Sequence, residues 1–410
     1  MADVAAQHTH DLLIVGAGPV GLALALALKD AGLDIVLADA RPRAAVCDDP
    51  RDLALAHGSR LTLQTLGVWD ALSATPIEHI HISQQGGLGR TLIDAAEHDL
   101  PALGYVASAG ALAAALRAAV DAAGIPVLDE TEVANLAPGS DDVIASLAAP
   151  GRPPATLRAR LAACAEGGLR AGDPNVVEHD YRQHALIAQV AVAGGHRGTA
   201  FERFTREGPL ALLPKGEGYA LVHVVRPDSA DALLALDDEA YLARLQAHVG
   251  SRVQLSGVGR RLRYPLLLRY RESAVGTRTV WLGNAAQTLH PVAGQGFNLA
   301  LRDVWALADT LLRHCDESAR AASTASSTSP SASTSPCDLG APAVLAAYAR
   351  SRGPDRLGTI RFTDTLVRVF SNDFAPLRHA RGAALLALDV LPPLRNIVAR
   401  RMMLGARAWP

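Results

Sequence analysis

The segment DLLIVGAGPVGLALALALKDAGLDIVLAD, residues 11–39, constrains this chain more than any other. Its apolar run over 12–28 approaches the length of a membrane span, but three glycines and a proline interrupt it. A strand, a tight turn, a buried helix and a second strand account for it better, and together they make one βαβ unit. In such a unit Gly16 makes the turn, Gly18 lets backbone approach a pyrophosphate, and Gly21 lets helix pack on strand. The helix N-terminus then faces the phosphates. Asp39 closes the second strand, where a carboxylate accepts from an adenosine ribose hydroxyl. The segment predicts a dinucleotide site without saying which dinucleotide.

With 410 residues the chain can bury two cores. A formal net charge of −2 gives no global field for nucleic acid. The cysteines Cys47, Cys164, Cys315 and Cys337 are far apart and lack CxxC spacing. That pattern argues against a metal site or a disulfide framework and for a reducing compartment. The first ten residues show no signal-peptide pattern, so the expected location is cytoplasmic.

Helical patterns cover 59–74 and 107–124, and short strands fill 125–170. The middle, 174–275, is β-rich with one helix, DDEAYLARLQAHVG. The reading is an α/β fold: a Rossmann-type dinucleotide-binding domain in three parts (1–78, 107–173 and 276–315) with a β-rich substrate domain inserted (79–106 and 174–275). A Ser/Thr-rich tract at 316–340 is expected to be a disordered loop, and C-terminal helices fill 341–410.

A second glycine-rich helix entry, GNAAQTLHPVAGQGFNLALRD, lies at 283–303. It is redundant for a nicotinamide dehydrogenase and suits a longer ligand, FAD, whose far end rests on a second helix N-terminus. Free amides at 294–298 would stabilise charge on a reduced flavin, and Asn284 could bond its ribityl chain. His290, before Pro291, is a candidate proton carrier or a turn-orienting residue.

This second motif resembles that of the ubiquinone-biosynthesis flavin hydroxylases, a branch of the aromatic-ring monooxygenases. The similarity extends to DDPRDLALAHGSRLTLQTLGVWDAL (48–72), AFERFTREGPLALLP (200–214) and RFTDTLVRVFSN (361–372), and so covers nearly the whole chain. The pairing of AFERFT with HPVAGQGFN looks most like the enzymes acting on a 2-polyprenyl-6-methoxyphenol. The resemblance implies that Arg51 contacts FAD, and that Pro291, Gly294, Gln295, Gly296 and Asn298 surround the flavin ring. It implies that NAD(P)H docks transiently, which agrees with the lack of a second nicotinamide-type βαβ pattern. It further implies that oxygen from O2 reaches a prenylated phenol through a flavin C4a-hydroperoxide. There is one departure. Where the family has Ala-Asp-Gly, then Ser and Arg, this chain has Ala165-Glu166-Gly167-Gly168-Leu169-Arg170, with a longer carboxylate and no Ser. A hydroxylase of a soluble aromatic and a non-catalytic flavoprotein subunit of a biosynthetic complex are the alternative readings. The C-terminal stretch 383–410 mixes apolar residues with Arg395, Arg400, Arg401 and Arg407, a pattern for contact with a membrane surface or a partner.

Overall fold

The computed structural model describes residues 8–87, 89–169, 172–326, 337–370 and 375–405. Strand β1 (Thr9–Val15), helix α1 (Pro19–Ala27) and strand β2 (Ile35–Ala38) form the βαβ unit. β1 pairs in parallel with β2 on one side and with Ala155–Cys164 on the other. Ala155–Cys164 pairs in turn with Thr279–Trp281, also in parallel.

Leu12, Leu13, Ile14 and Val15 are all buried because both faces of β1 are covered. Leu12 and Ile14 join Leu22 and Leu24 of α1, Leu112 and Leu116 of helix Ala109–Ala122, and Val304 and Leu307 of the long helix Gln295–Ser326. Leu13 and Val15 face the other way, onto Val143 and Ala145 of strand Val143–Ala148.

A second sheet of nine strands is built around the long strand Val176–Ala193. One of its faces carries Leu186, Val190, Leu212 and Leu221, covered by Tyr241 and Leu245 of helix Asp238–Val249. Asp237 caps that helix by accepting from the Ala240 amide at 2.7 Å. Strands His79–Gln84 and Arg90–Asp94 extend this sheet, whereas Gly104–Ser108 pairs with Asp52–Ala56 and Thr75–Ile77 in a small third sheet.

Two expectations are corrected. The helical pattern over 59–74 is broken, because helix His57–Thr65 ends before Gly67, which sits at φ +76°. The tract expected to be disordered from 316 is helical as far as Ser326, since its alanines continue the long helix. Residues 327–336 of that tract lie outside the described residues. Asp338 is held by a two-pronged ion pair with Arg278, at 2.7 and 2.9 Å. Helices Pro342–Phe370, Ala375–Val390 and Pro392–Leu404 complete the described chain.

Candidate functional site

The first glycine turn is shaped by what surrounds it. Gly16 sits at φ +103°, and a Cβ there would lie 2.7 Å from the Glu166 amide nitrogen. A Cβ on Gly21 would lie 2.0 Å from the Gly16 carbonyl oxygen, so α1 seats directly on the turn. Gly18 is different. A Cβ there would meet only the Arg41 guanidinium, at 3.6 Å, which leaves room beside the N-terminus of α1.

Asp39 lies just beyond β2 and is only 5% exposed. Its carboxylate accepts from the Ala17 amide at 2.8 Å and from the Arg41 amide and guanidinium at 2.8, 3.1 and 2.9 Å. Burial pushes the carboxyl up, but the bonds from Arg41 and Ala17 outweigh it and hold Asp39 below its ordinary value. A ribose hydroxyl would therefore share this carboxylate with Arg41. Arg51 pairs with Asp49 at 2.5 Å and remains half-exposed, just ahead of strand Asp52–Ala56. Glu166 is exposed, with its backbone against Gly16, and Arg170 lies outside the described residues.

The second turn meets the first. A Cβ on Gly283, at φ +56°, would lie 3.0 Å from the Val20 side chain of α1. Asn284 and Pro291 are exposed, and Gln295 is buried. A Cβ on Gly296 would find nothing within 4 Å, so here too the backbone faces open space at a helix start. Asn298 is an internal clamp. Its amide donates to the Ala54 and Gly294 carbonyls at 2.9 and 2.7 Å, and its oxygen accepts from the Ala56 amide and the Ser59 hydroxyl at 2.8 and 2.7 Å. With every hydrogen-bonding site taken, Asn298 shapes the turn from behind.

His290 is 1% exposed, accepts from the Val292 amide at 3.1 Å through Nδ1, and packs edge-on against Tyr181. Burial pushes its imidazole down to about 3, so the ring is neutral near pH 7. That favours the turn-orienting role over the proton carrier.

Open space at Gly18 and at Gly296, at the starts of two helices whose turns meet at Gly283 and Val20, fits a ligand with phosphates at one end and a ring at the other. The comparisons decide which. The sequence profile described as FAD binding domain matches residues 9–329. Ubiquinone hydroxylase UbiL of Rhodospirillum rubrum is 34% identical, over 97% of this chain and 90% of that protein. The chain belongs to the FAD-dependent ubiquinone-hydroxylase family. The 3-demethoxyubiquinol 3-hydroxylase of Escherichia coli is 30% identical, over 92% of this chain and 94% of its own length. The fold is that of the FAD-dependent aromatic hydroxylases. The crystal structure of p-nitrophenol 4-monooxygenase PnpA from Pseudomonas putida superposes with a TM-score of 0.71 at 17% identity, covering 98% of this chain and all of that one.

Two features of this hydroxylase escape a reading of its motifs. The first is Glu202, on strand Thr199–Phe204. It shares a sheet face with Phe204, and Phe204 packs with Val292 of the second turn. Its Oε1 is out of solvent and has no hydrogen-bond partner. Burial pushes the carboxyl up to about 7. Nothing in the AFERFT pattern marks Glu202 apart from its alternation with Phe201 and Arg203, which point to the other face.

The second is a buried charge network behind the turn. Asp303 accepts from Arg352 and Gln287, both at 2.8 Å. Gln287 accepts from Arg356 at 2.6 Å, and Arg356 also donates to the Ala286 carbonyl at 3.1 Å. Asp355 accepts from Arg302 and Arg352, both at 2.9 Å, with Arg401 at 3.2 Å. The network fixes the long helix against helix Pro342–Phe370. Its only sequence signals are Arg302-Asp303 and the Arg352, Asp355, Arg356 spacing, which places all three on one helix face.

Proposed function

We propose that this hydroxylase adds one oxygen atom from O2 to a prenylated methoxyphenol, with NAD(P)H as the transient reductant. The observation that carries the reading is Glu202: a carboxylate with an unpaired oxygen, on the sheet face that packs against the flavin turn. When bound, FAD supplies the activation of O2. The chain's own residues hold it, order the phenol and keep water out. Gly18 and the N-terminus of α1 would receive the pyrophosphate, with Arg41 alongside. Amides at the start of the long helix would face the flavin ring, and the Gly296 backbone leaves space for it.

A phenol ring is a better nucleophile once its hydroxyl proton has left. Glu202 can take that proton near neutral pH, because burial brings its carboxyl to about 7. Phe204 and Phe370 stack at 3.7 Å beside it and shield that edge from solvent.

A prenylated substrate partitions into lipid, and the fold offers a matching surface. At the elbow between helices Ala375–Val390 and Pro392–Leu404, Leu386, Val390, Leu391, Leu394 and Ile397 are between 42% and 65% exposed. Among the described residues no single helix is long and apolar enough to cross a bilayer. The basic character expected of this tail is reduced, since Arg395 pairs with Glu97 and Arg401 with Asp355. The elbow would thus sit on a membrane by apolar insertion rather than by charge.

The test is NAD(P)H oxidation by the FAD-loaded protein with a polyprenyl methoxyphenol and, separately, with a short-chain phenol. Faster oxidation with the prenylated compound, and a product heavier by one oxygen, are expected. Turnover of the short phenol alone would assign the chain to soluble aromatics. No flavin reduction under either condition would assign it a non-catalytic role.

A further inference from the structure

Cys315 and Cys337 are 22 positions apart in sequence, and the fold brings their Sγ atoms to 2.7 Å. That is closer than unbonded sulfur atoms comfortably sit and longer than a disulfide bond of about 2.05 Å. Neither position is a loose loop tip. Cys315 lies within the long helix Gln295–Ser326. Cys337 precedes Asp338, which Arg278 grips through two hydrogen bonds, and Leu339, which is 0% exposed. Both cysteines are free, partly buried and packed against the main core, and there the two sulfurs face each other.

We propose that Cys315 and Cys337 form a redox site, opened and closed as a disulfide, whose oxidant is hydrogen peroxide. One thiol takes an oxygen atom from peroxide to become a sulfenic acid and releases one water. The second thiol then attacks that sulfur, the S–S bond forms and a second water leaves. Two electrons and two hydrogens pass from the thiols to one peroxide, giving one disulfide and two waters. A flavin hydroxylase makes this oxidant itself whenever it reduces O2 without hydroxylating a substrate.

The bond would close the whole Ser/Thr/Ala/Pro tract, 316–336, into a loop. It would also tie the start of helix Pro342–Phe370 to the long helix, and these two helices carry the Arg352, Asp355 and Asp303 network behind the flavin turn. Burial pushes the Cys315 thiol up to about 12 and raises that of Cys337 as well. The reduced pair is therefore slow to react at neutral pH, and closure should speed up as pH rises.

The experiment is peptide mapping of the native full-length protein, with and without hydrogen peroxide, after alkylation of the remaining thiols. Trypsin should release Cys315 in peptide 314–320 and Cys337 in peptide 321–350. After peroxide these should appear joined, two hydrogens lighter than their sum, and separate again with dithiothreitol. Cys47 and Cys164 should stay unlinked, and Cys315→Ser should abolish the joined species. Peroxide that leaves both peptides separately alkylated or over-oxidised overturns the proposal. So does a joined species that forms only in urea, because then the fold would not be the cause. The native protein alone decides the matter if the variant fails to fold.

Discussion

Glu202 is the residue at which binding and turnover should separate. Glu202→Gln keeps the shape and removes the base. The expected result is FAD binding and NAD(P)H oxidation close to native, with hydroxylated product formed about 100-fold more slowly or worse. A carboxyl raised by burial destabilises the fold as pH rises from 4.5 towards 7, so the variant should also be the more stable protein at pH 8. Loss of both stability and activity would instead mark Glu202 as structural. His290 makes the opposite prediction. Its folded value of about 3 lies below the ordinary 6.5, so the unfolded chain binds the proton first as pH falls. Stability is complete above pH 6.5 and declines towards pH 3, by up to about 1.4 kcal/mol per pH unit from this one ring. Denaturant titrations between pH 6 and 4 should show a shallower slope in His290→Gln. At this scale the sequence is legible where a role is local. Gly16, Gly18 and Gly21 announce themselves by spacing, and Asp39 by its place after a strand. It is silent on Glu202, whose significance depends on a partner turn some ninety residues further on, and on Arg41, which shares the Asp39 carboxylate.

At the scale of elements, the glycines of one turn should fail in different ways. Gly16→Ala places a Cβ 2.7 Å from Glu166 backbone at a positive φ and should impair folding. Gly18→Ala meets nothing closer than the Arg41 side chain, at 3.6 Å, and should fold normally with weakened FAD affinity. Thermal melts with and without added FAD separate the two. Equal loss of fold in both would mean that the space at Gly18 has no ligand role. The charge network predicts a larger effect. Asp355→Ala leaves Arg302 and Arg352 facing each other without their shared carboxylate and should cost about 3–5 kcal/mol in chemical denaturation. Helix positions were easier to read than helix ends. Ser108 accepts from the Ala111 amide and starts helix Ala109–Ala122, within the range expected from its pattern. Gly67, by contrast, ended a helix whose apolar pattern ran on, and alanines beyond 316 prolonged one whose composition looked like a loop.

At the scale of the whole molecule, the alternation of βαβ segments and β-rich inserts was legible because periodicity reports burial. The strand pairings that join these segments were not, since pairing partners leave no local trace. The elbow near Leu391 gives the prediction that belongs here. Leu391→Ser with Ile397→Ser should reduce co-sedimentation with neutral and anionic vesicles alike, and raising the salt should change little. Binding that needs anionic lipid and disappears in salt would point to arginines such as Arg400 instead.

The meeting of the two glycine turns has a consequence for how the protein is made. β1, α1 and β2 emerge from the ribosome early, yet Thr279–Trp281 must still be threaded beside Ala155–Cys164, and Gly283 must reach Val20. A nascent chain halted short of residue 283 has the opening at Gly18 and lacks the one at Gly296. Such long-range parallel pairing is slow and comes late. Assembly of the site thus waits on residues beyond 283, and yellow colour in a cell extract counts chains that have passed that point rather than all chains begun.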